Sequence, residues 1–216
     1  MEKKYKVAVI HTSTGLVGQL KELFDEMLPD VEMINLIDDS LLEEVKKNGR
    51  ITPGVIRRIC TYAQTAQEMG AELIMCQCSS VSRAGTVARE MLSVPYLKID
   101  EPMMQKAVMM GEKIALVATA AVTIEPSTGL IREMAAKAGK KVEVTPYLSE
   151  GTPEKILEKI KEAEKTNDVI VLAQGSMTCV LPYLEGISRP VLSSPGLALE
   201  RIREILNENG TERAYV

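Results

Sequence analysis

Residues 71–83 read AELIMCQCSSVSR, an apolar run that ends abruptly at a thiol and small hydroxyl side chains. Such a run, bounded by polar residues, is typical of a parallel strand that is buried on both faces. Residues 83–91 have helical composition, so the strand is predicted to lead into a helix shortly after Cys78. Ligands bind at the carboxyl ends of parallel strands, and the amides that open a helix favour a thiolate. Cys78 is therefore the first candidate for a functional residue.

The same order of predicted elements occurs twice along the chain. Residues 6–10 (KVAVI) and 113–117 (KIALV) are apolar strands, and a small polar loop follows each of them. Residues 72–80 correspond in character, position by position, to residues 168–176. Alternating strands and helices with short loops predict right-handed crossovers and parallel sheets. We therefore predict an α/β fold with two pseudo-symmetric parallel four-stranded sheets flanked by helices, that is, duplicated Rossmann-like or flavodoxin-like lobes. The alternative is one continuous doubly wound sheet.

The duplication predicts where the lobes begin and end. The first lobe comprises residues 1–99 plus 196–216, the second comprises residues 100–195, and the active-site cleft is expected between them. The aligned pairs are Cys78 with Gln174, Ser79 with Gly175, Ser80 with Ser176, and Thr12 with Thr119. The expected cleft would therefore have a thiol on one side and an amide on the other.

Composition excludes several other classes of protein. With 45 % hydrophobic and 26 % charged residues, this is an ordinary globular chain, and its net charge of −4 offers no basic face for nucleic acid. The apolar runs are too short to span a membrane, which favours a cytoplasmic protein with reduced thiols. Cys60 and Cys76 are expected to pack in the core. The single histidine, His11, leaves little material for a zinc site or a Ser-His-Asp triad, so no metal is expected.

Two polar residues are predicted to cap helices. Thr52 precedes Pro53, which is the pattern of an N-cap followed by proline at the first helical position. Asp100 precedes Glu101 and Pro102, and most simply caps the helix that follows. The alternative role of Asp100 is to bind a substrate amine.

These features together resemble the aspartate/glutamate/hydantoin racemase superfamily, over nearly the whole chain. The runs that carry the resemblance are Cys78-Ser79-Ser80-Val81, Asp100-Glu101-Pro102-Met103, residues 171–177 (VLAQGSM) and residues 190–195 (PVLSSP). The resemblance implies racemisation without a cofactor. In that scheme two cysteines flank the α-carbon, one removing its proton and the other returning a proton to the opposite face. The resemblance to the family, together with the apolar Met-rich helices, also implies a homodimer.

This chain departs from the family pattern at the second cysteine. That position is Gln174, and a carboxamide cannot take or give a proton near neutral pH. Cys179 lies five residues further on, within a predicted helix, and is expected to pack in the core. It would serve as the second base only if the turn were longer than its counterpart. A single-thiol reaction is compatible with the change, such as the decarboxylation or the cis–trans isomerisation that related enzymes catalyse.

The sequence therefore predicts a cofactor-independent racemase or isomerase that acts at the carbon alpha to a carboxylate of an amino acid or related acid. Cys78 is assigned as the acid/base, and Gln174 would polarise or orient the substrate. The predicted substrate-binding residues are His11, Thr12, Ser79, Ser80, Thr119, Gly175 and Ser176. The alternatives are a single-cysteine decarboxylase or cis–trans isomerase, and a non-catalytic two-lobed binding protein.

Overall fold

The computed structural model describes residues 5–213. They form two compact units, one of residues 5–99 with 195–213 and the other of residues 100–194. Residues 1–4 and 214–216, which the prediction places in the first lobe, lie outside the described residues. Among the helices of the described part, none combines the length and apolar character needed to cross a membrane.

The first unit has one four-stranded sheet. Its elements are β1 (Tyr5–His11), α1 (Val17–Met27), β2 (Val31–Ile37), α2 (Ser40–Asn48), α3 (Pro53–Glu68), β3 (Leu73–Cys76), α4 (Ser82–Arg89), β4 (Tyr96–Lys98) and the returning α8 (Ser194–Arg213). A short 3₁₀ segment, Ser79–Val81, joins β3 to α4. The strand order is β2-β1-β3-β4, and every pairing is parallel.

The second unit repeats this arrangement. Its elements are α5 (Glu101–Met110), β5 (Lys113–Ala118), α6 (Ile124–Lys137), β6 (Glu143–Leu148), α7 (Pro153–Ala163), β7 (Val169–Leu172) and β8 (Val191–Leu192). The strand order β6-β5-β7-β8 is again wholly parallel. The predicted fold class, two parallel four-stranded sheets flanked by helices, is therefore confirmed, and the alternative of one continuous sheet is wrong.

Backbone hydrogen bonds around the central strands match pairwise between the units. The Gln77 amide donates to the Ile10 carbonyl at 3.1 Å, and the Ala173 amide donates to the Val117 carbonyl at 2.9 Å. In the strand ladders Ile10 is the partner of Cys76, and Val117 is the partner of Leu172. Counting two residues onward from each ladder pair makes Cys78 and Gln174 equivalent positions, as the sequence alignment predicts.

Both faces of the first sheet are covered by apolar helix faces. Side chains alternate along a strand, so Ala8 and Ile10 face one cluster while Val7 and Val9 face the other. The first cluster takes its helical members from α2, α3 and α4, and the second takes them from α1 and α8. Leu199 of α8 is completely buried there, and burial of one such side chain contributes about 1.5–3 kcal/mol. The last helix therefore belongs to the core of the first unit.

The two helix caps predicted from the sequence have different outcomes. Thr52 Oγ1 accepts a hydrogen bond from the Val55 amide at 3.2 Å, so this N-cap is confirmed. Asp100 occupies the N-cap position of α5, but its side chain makes no capping hydrogen bond and is only 2 % exposed. The prediction that Asp100 caps its helix is therefore wrong, because its carboxylate is turned into the protein.

Close packing of α4 on β4 fixes the helix that follows Cys78. A Cβ atom added to Gly85 would lie 2.7 Å from Cε1 of the buried Tyr96 ring and 3.4 Å from Cγ of Lys98. We expect Gly85→Ala to destabilise the protein by about 1–3 kcal/mol, the usual cost of overpacking. Urea unfolding of the variant measures the loss. Gly129→Ala is the matched control, since nothing lies within 4 Å of a Cβ there, and an equal loss in both variants would contradict the packing argument.

Candidate active site at the strand ends

The first unit has a topological switch point between its two central strands. After β1 the chain passes through α1 on one face of the sheet, whereas after β3 it passes into α4 on the opposite face. Loops that diverge in this way leave a crevice at the carboxyl ends of the strands, which is where α/β proteins bind ligands. Thr12 directly follows β1, and Cys78 follows β3 by two residues.

Cys78 lies where the strand gives way to helix. Its backbone is extended, with φ −125° and ψ 119°, and the next residue begins the 3₁₀ segment. The side chain is half-buried against the cluster formed by α2, α3 and α4. Ser79 and Ser80 are buried directly beside it. The structure therefore brings the predicted thiol and both predicted serines to one strand end.

Thr12 carries a buried hydroxyl that no other group uses. Its side chain is completely buried, and Oγ1 has no hydrogen-bond partner among the described residues. Nearby, Gln77 holds the β1 loop through a long contact of 3.5 Å from Nε2 to the Ser13 carbonyl. A buried hydroxyl without a partner is costly unless water or a ligand completes it. Thr12 therefore presents an unused polar group at the switch point.

His11 lies on a different side of the sheet from Cys78. As the last residue of β1 it shares the face of Val7 and Val9, which is covered by α1 and α8. The ring is completely buried, with Nε2 2.8 Å from Asn35 Oδ1, and Nδ1 has no hydrogen-bond partner within residues 5–213. Burial lowers the pKa of His11 and outweighs the opposing effect of the Asn35 hydrogen bond. The neutral imidazole is thus the stable form in the folded protein.

The lowered pKa of His11 predicts a pH dependence of stability. A histidine in the unfolded chain titrates at about pH 6.5, so below that pH the unfolded state binds more protons than the folded state. The free energy of unfolding should therefore fall as the pH drops from about 6.5 toward the lower folded pKa. We expect His11→Gln, whose amide can still donate to Asn35, to flatten this slope. Urea unfolding from pH 7.5 to 5 measures it, and because His11 is the only histidine, identical slopes would contradict the assignment.

In the second unit, Gln174 bridges the equivalent switch point. Its Oε1 accepts a hydrogen bond from the Thr119 amide at 3.1 Å, and its Nε2 donates to Thr123 Oγ1 at 2.8 Å. The Thr123 hydroxyl in turn donates to the Ala120 carbonyl at 2.7 Å. We call the two bonds made by the Gln174 side chain the Gln174 clamp. It ties the loop after β5 to the loop after β7.

The remaining predicted residues of the second unit lie in the same two loops. Thr119 is half-buried, Gly175 is buried and Ser176 is exposed. Gly151 has a positive φ of +92°, which glycine adopts readily, and a Cβ added there would make an ordinary van der Waals contact with the Cβ of Thr119, at 3.8 Å. The expectation that Cys179 packs in the core is wrong. It is exposed, because residues 175–183 form a long 3₁₀ segment rather than an α-helix that buries one face.

Several functional partners were not found from the sequence. The bond from Gln174 to Thr123 spans 51 residues, and no motif links the two positions. Asn35 could have been noticed as a polar residue inside the apolar strand VEMINLI. Asp38, directly after β2, accepts hydrogen bonds from Ser40, Arg58 and Tyr62, which offset its burial and lower its pKa. That network holds α2 and α3 against the end of the sheet.

The thiols and acidic groups set further limits on the chemistry. Within the described residues none of the four cysteines forms a disulfide, and burial raises the pKa of Cys60. No group of three or more His, Cys, Asp or Glu side chains suited to a metal ion occurs between residues 5 and 213. What the strand ends do offer is one half-buried thiol, several hydroxyl groups and backbone amides.

Solved structures with a similar fold include two racemases and a decarboxylase. Allantoin racemase from Klebsiella pneumoniae is 17 % identical, with a TM-score of 0.70, over 95 % of this chain and 89 % of the other. Glutamate racemase from Aquifex pyrophilus is 17 % identical, with a TM-score of 0.67, over 92 % and 83 %. Unliganded arylmalonate decarboxylase is 16 % identical, with a TM-score of 0.63, over 94 % and 93 %. At these identities the likeness shows the fold alone.

Comparisons of sequence are more specific than the likeness of folds. The search of curated proteins gave no match. The model of the Asp/Glu/Hydantoin racemase family, in contrast, matches residues 7–202, which include all the candidate site residues and all the described strands except the first two residues of β1. The resemblance noted in the sequence is thereby confirmed: the chain belongs to the Asp/Glu/hydantoin racemase family.

Proposed function

We propose that this protein is a cofactor-independent enzyme of the racemase or isomerase type, which acts at the carbon alpha to a carboxylate. Cys78 is the acid/base of the proposed reaction. Membership of the family supports an enzyme of this general kind. The similar folds of allantoin racemase, glutamate racemase and arylmalonate decarboxylase are consistent with it. The substrate class is a small carboxylic acid, such as an amino acid.

The proposed chemistry is a proton transfer at sulfur. The Cys78 thiolate takes the α-proton, so the C–H bond breaks, an S–H bond forms, and the electron pair passes into an enolate-like carboxylate. Hydrogen-bond donors placed around that carboxylate lower the energy of the transition state, in which its charge grows. The donors proposed for this task are Thr12, Ser79 and Ser80 in the first unit and Thr119, Gly175 and Ser176 in the second. Return of a proton by the same sulfur regenerates the starting enantiomer and is seen as exchange of the α-hydrogen with solvent. Inversion requires a proton on the opposite face of the enolate-like intermediate; in this proposal solvent water donates it, and the Cys78 thiol gives its own proton to water and becomes a thiolate again.

The unused hydroxyl of Thr12 is the observation that carries this proposal. Most buried hydroxyl groups have a hydrogen-bond partner, and one without a partner calls for a physical explanation. Here the hydroxyl lies at the strand end next to the one that leads to Cys78, at the switch point where ligands bind in this class of fold. A substrate carboxylate oxygen would supply the missing acceptor.

One observation favours a second candidate, a reaction that needs only one thiol. The side chain of Gln174 cannot exchange protons near neutral pH, and both ends of its amide are already engaged in the second unit. In decarboxylation, the bond to a carboxylate breaks, carbon dioxide leaves, and the Cys78 thiol protonates the resulting enediolate. In cis–trans isomerisation, the thiolate adds to a carbon–carbon double bond, the new single bond rotates, and elimination restores the thiolate.

Incubation in deuterated water distinguishes these possibilities. Amino acids of either hand, 2-substituted malonates and maleate are each followed by proton NMR and chiral chromatography. Exchange of the α-hydrogen with inversion supports a racemase, and exchange or decarboxylation on one face supports single-thiol chemistry. Geometric isomerisation of maleate identifies the remaining route. Tight binding of one of these acids without any turnover would contradict the proposal and favour a non-catalytic binding protein.

A further inference from the structure

The role of Gln174 follows from what its amide already contacts. In the first unit the equivalent position is Cys78, whose side chain is too short to bridge two loops. There the link between the loops falls to Gln77, through the 3.5 Å contact to Ser13. In the second unit the bridge is direct, with two well-formed hydrogen bonds of 3.1 Å and 2.8 Å. At this position the second unit has a structural link where the first unit has a thiol.

The clamp determines which groups of the Thr119 loop are available to a ligand. The Thr119 amide is occupied by Gln174, so it is not available to a carboxylate. Thr119 is half-buried, and its hydroxyl makes no hydrogen bond within residues 5–213. Thr123, which anchors the other end of the clamp, is only 4 % exposed and also fixes the Ala120 carbonyl. The Gln174 clamp thus fixes the backbone of the loop, while the Thr119 hydroxyl stays available to a ligand.

We propose that Gln174 is a positioning residue, which holds the Thr119 loop in the conformation that binds the substrate carboxylate and does not itself contact the substrate. This inference rests on the proposed function, because it assigns Thr119 to carboxylate binding. It differs from a direct role in one decisive respect. A residue that acts through the loop should depend on its buried partner Thr123, whereas a residue that contacts the substrate should not.

The first variants remove the two partners separately and together. Gln174→Met keeps the side-chain length without the amide, and Thr123→Val keeps the shape without the hydroxyl. Both variants lose the bond between Gln174 and Thr123; Gln174→Met also loses the bond to the Thr119 amide, and Thr123→Val also loses the bond to the Ala120 carbonyl. Each is expected to raise KM by about 3- to 10-fold with little change in kcat, because neutral hydrogen bonds that order the binding loop are lost. The rise of KM in the double variant should be smaller than the product of the two single rises, since both substitutions remove the bond between Gln174 and Thr123. Thr123→Ser, which restores the hydroxyl, should behave as the unchanged protein.

Hydrogen exchange of the Thr119 amide gives a readout that does not depend on activity. In Gln174→Met this amide loses its acceptor and is expected to exchange at least about tenfold faster, while amides within β5 keep their protection. Unchanged exchange at Thr119 would overturn the clamp. An unchanged KM in Thr123→Val, together with a raised KM and unchanged Thr119 exchange in Gln174→Met, would instead show direct contact between Gln174 and the substrate. Absence of α-carbon chemistry in the unchanged protein would overturn the proposed function. Hydrogen exchange of the Thr119 amide would still show whether the Gln174 clamp exists.

Discussion

Replacement of Cys78 by serine is expected to lower the rate of α-hydrogen exchange in deuterated water by about 10³-fold, within the range that general acid–base groups contribute. A thiol ionises at about pH 8.5, and the amides at the start of a helix favour its thiolate, whereas a serine hydroxyl stays protonated. Serine and cysteine are similar in size, so residue 78 should still pack against the apolar cluster formed by α2, α3 and α4. Proton NMR of the substrate α-hydrogen measures the rate, and thermal unfolding confirms that the variant is folded.

Cys179→Ser is the matched control for this loss. Cys179 is the exposed thiol of the second unit, and the same substitution there should leave the exchange rate within about twofold of the original, as is usual for exposed sites away from special features. If Cys179→Ser abolished exchange while Cys78→Ser did not, the acid/base would have been assigned to the wrong sulfur. Alkylation with iodoacetamide at pH 7 gives an independent test. Cys78 should react before Cys60, whose pKa is raised by burial.

The fold was accessible from the sequence because parallel strands covered on both faces leave an unmistakable pattern. The runs at residues 6–10, 73–76, 113–117 and 169–172 are almost wholly apolar, and small hydroxyl residues follow each of them within four positions. Periodicity alone did not predict the 3₁₀ segment at residues 175–183. Pro182 lies inside it, and its segment has no single apolar face. The exposure of Cys179 follows from that local geometry.

The candidate site was predictable in position but not in detail. The end of a strand can be located from sequence, so Thr12, Cys78 and Gln174 were found where polar residues follow apolar runs. The face from which a side chain projects depends on register, and this separates His11 from Cys78. Hydrogen-bond partners depend on tertiary contacts, as with Gln174 and Thr123, which lie 51 residues apart. Burial and pairing therefore had to come from the structure.

Replacement of Gln174 by cysteine is expected to raise the ratio of stereoinversion to α-hydrogen exchange by at least about tenfold, because a second acid/base contributes on this scale or more. Residue 174 is equivalent to Cys78 in strand register and backbone conformation, with φ −125° and ψ 139°. A thiol there could carry a proton where the amide cannot. KM should rise at the same time, since the clamp on Thr119 is lost. Chiral chromatography of the product, alongside deuterium incorporation, gives the ratio.

Gln174→Ser separates the two consequences of that change. Serine breaks the clamp as cysteine does, and is close to it in size, but it offers no group that ionises near neutral pH. The difference in inversion between the two variants therefore isolates the proton-transfer step from the ordering of the loop. Equal ratios in both variants would show that residue 174 does not reach the reacting carbon. The double variant Cys78→Ser, Gln174→Cys has its thiol only at position 174. If it exchanges the α-hydrogen of the enantiomer that the unchanged protein does not, then the position of the thiol decides which face of the α-carbon undergoes proton transfer.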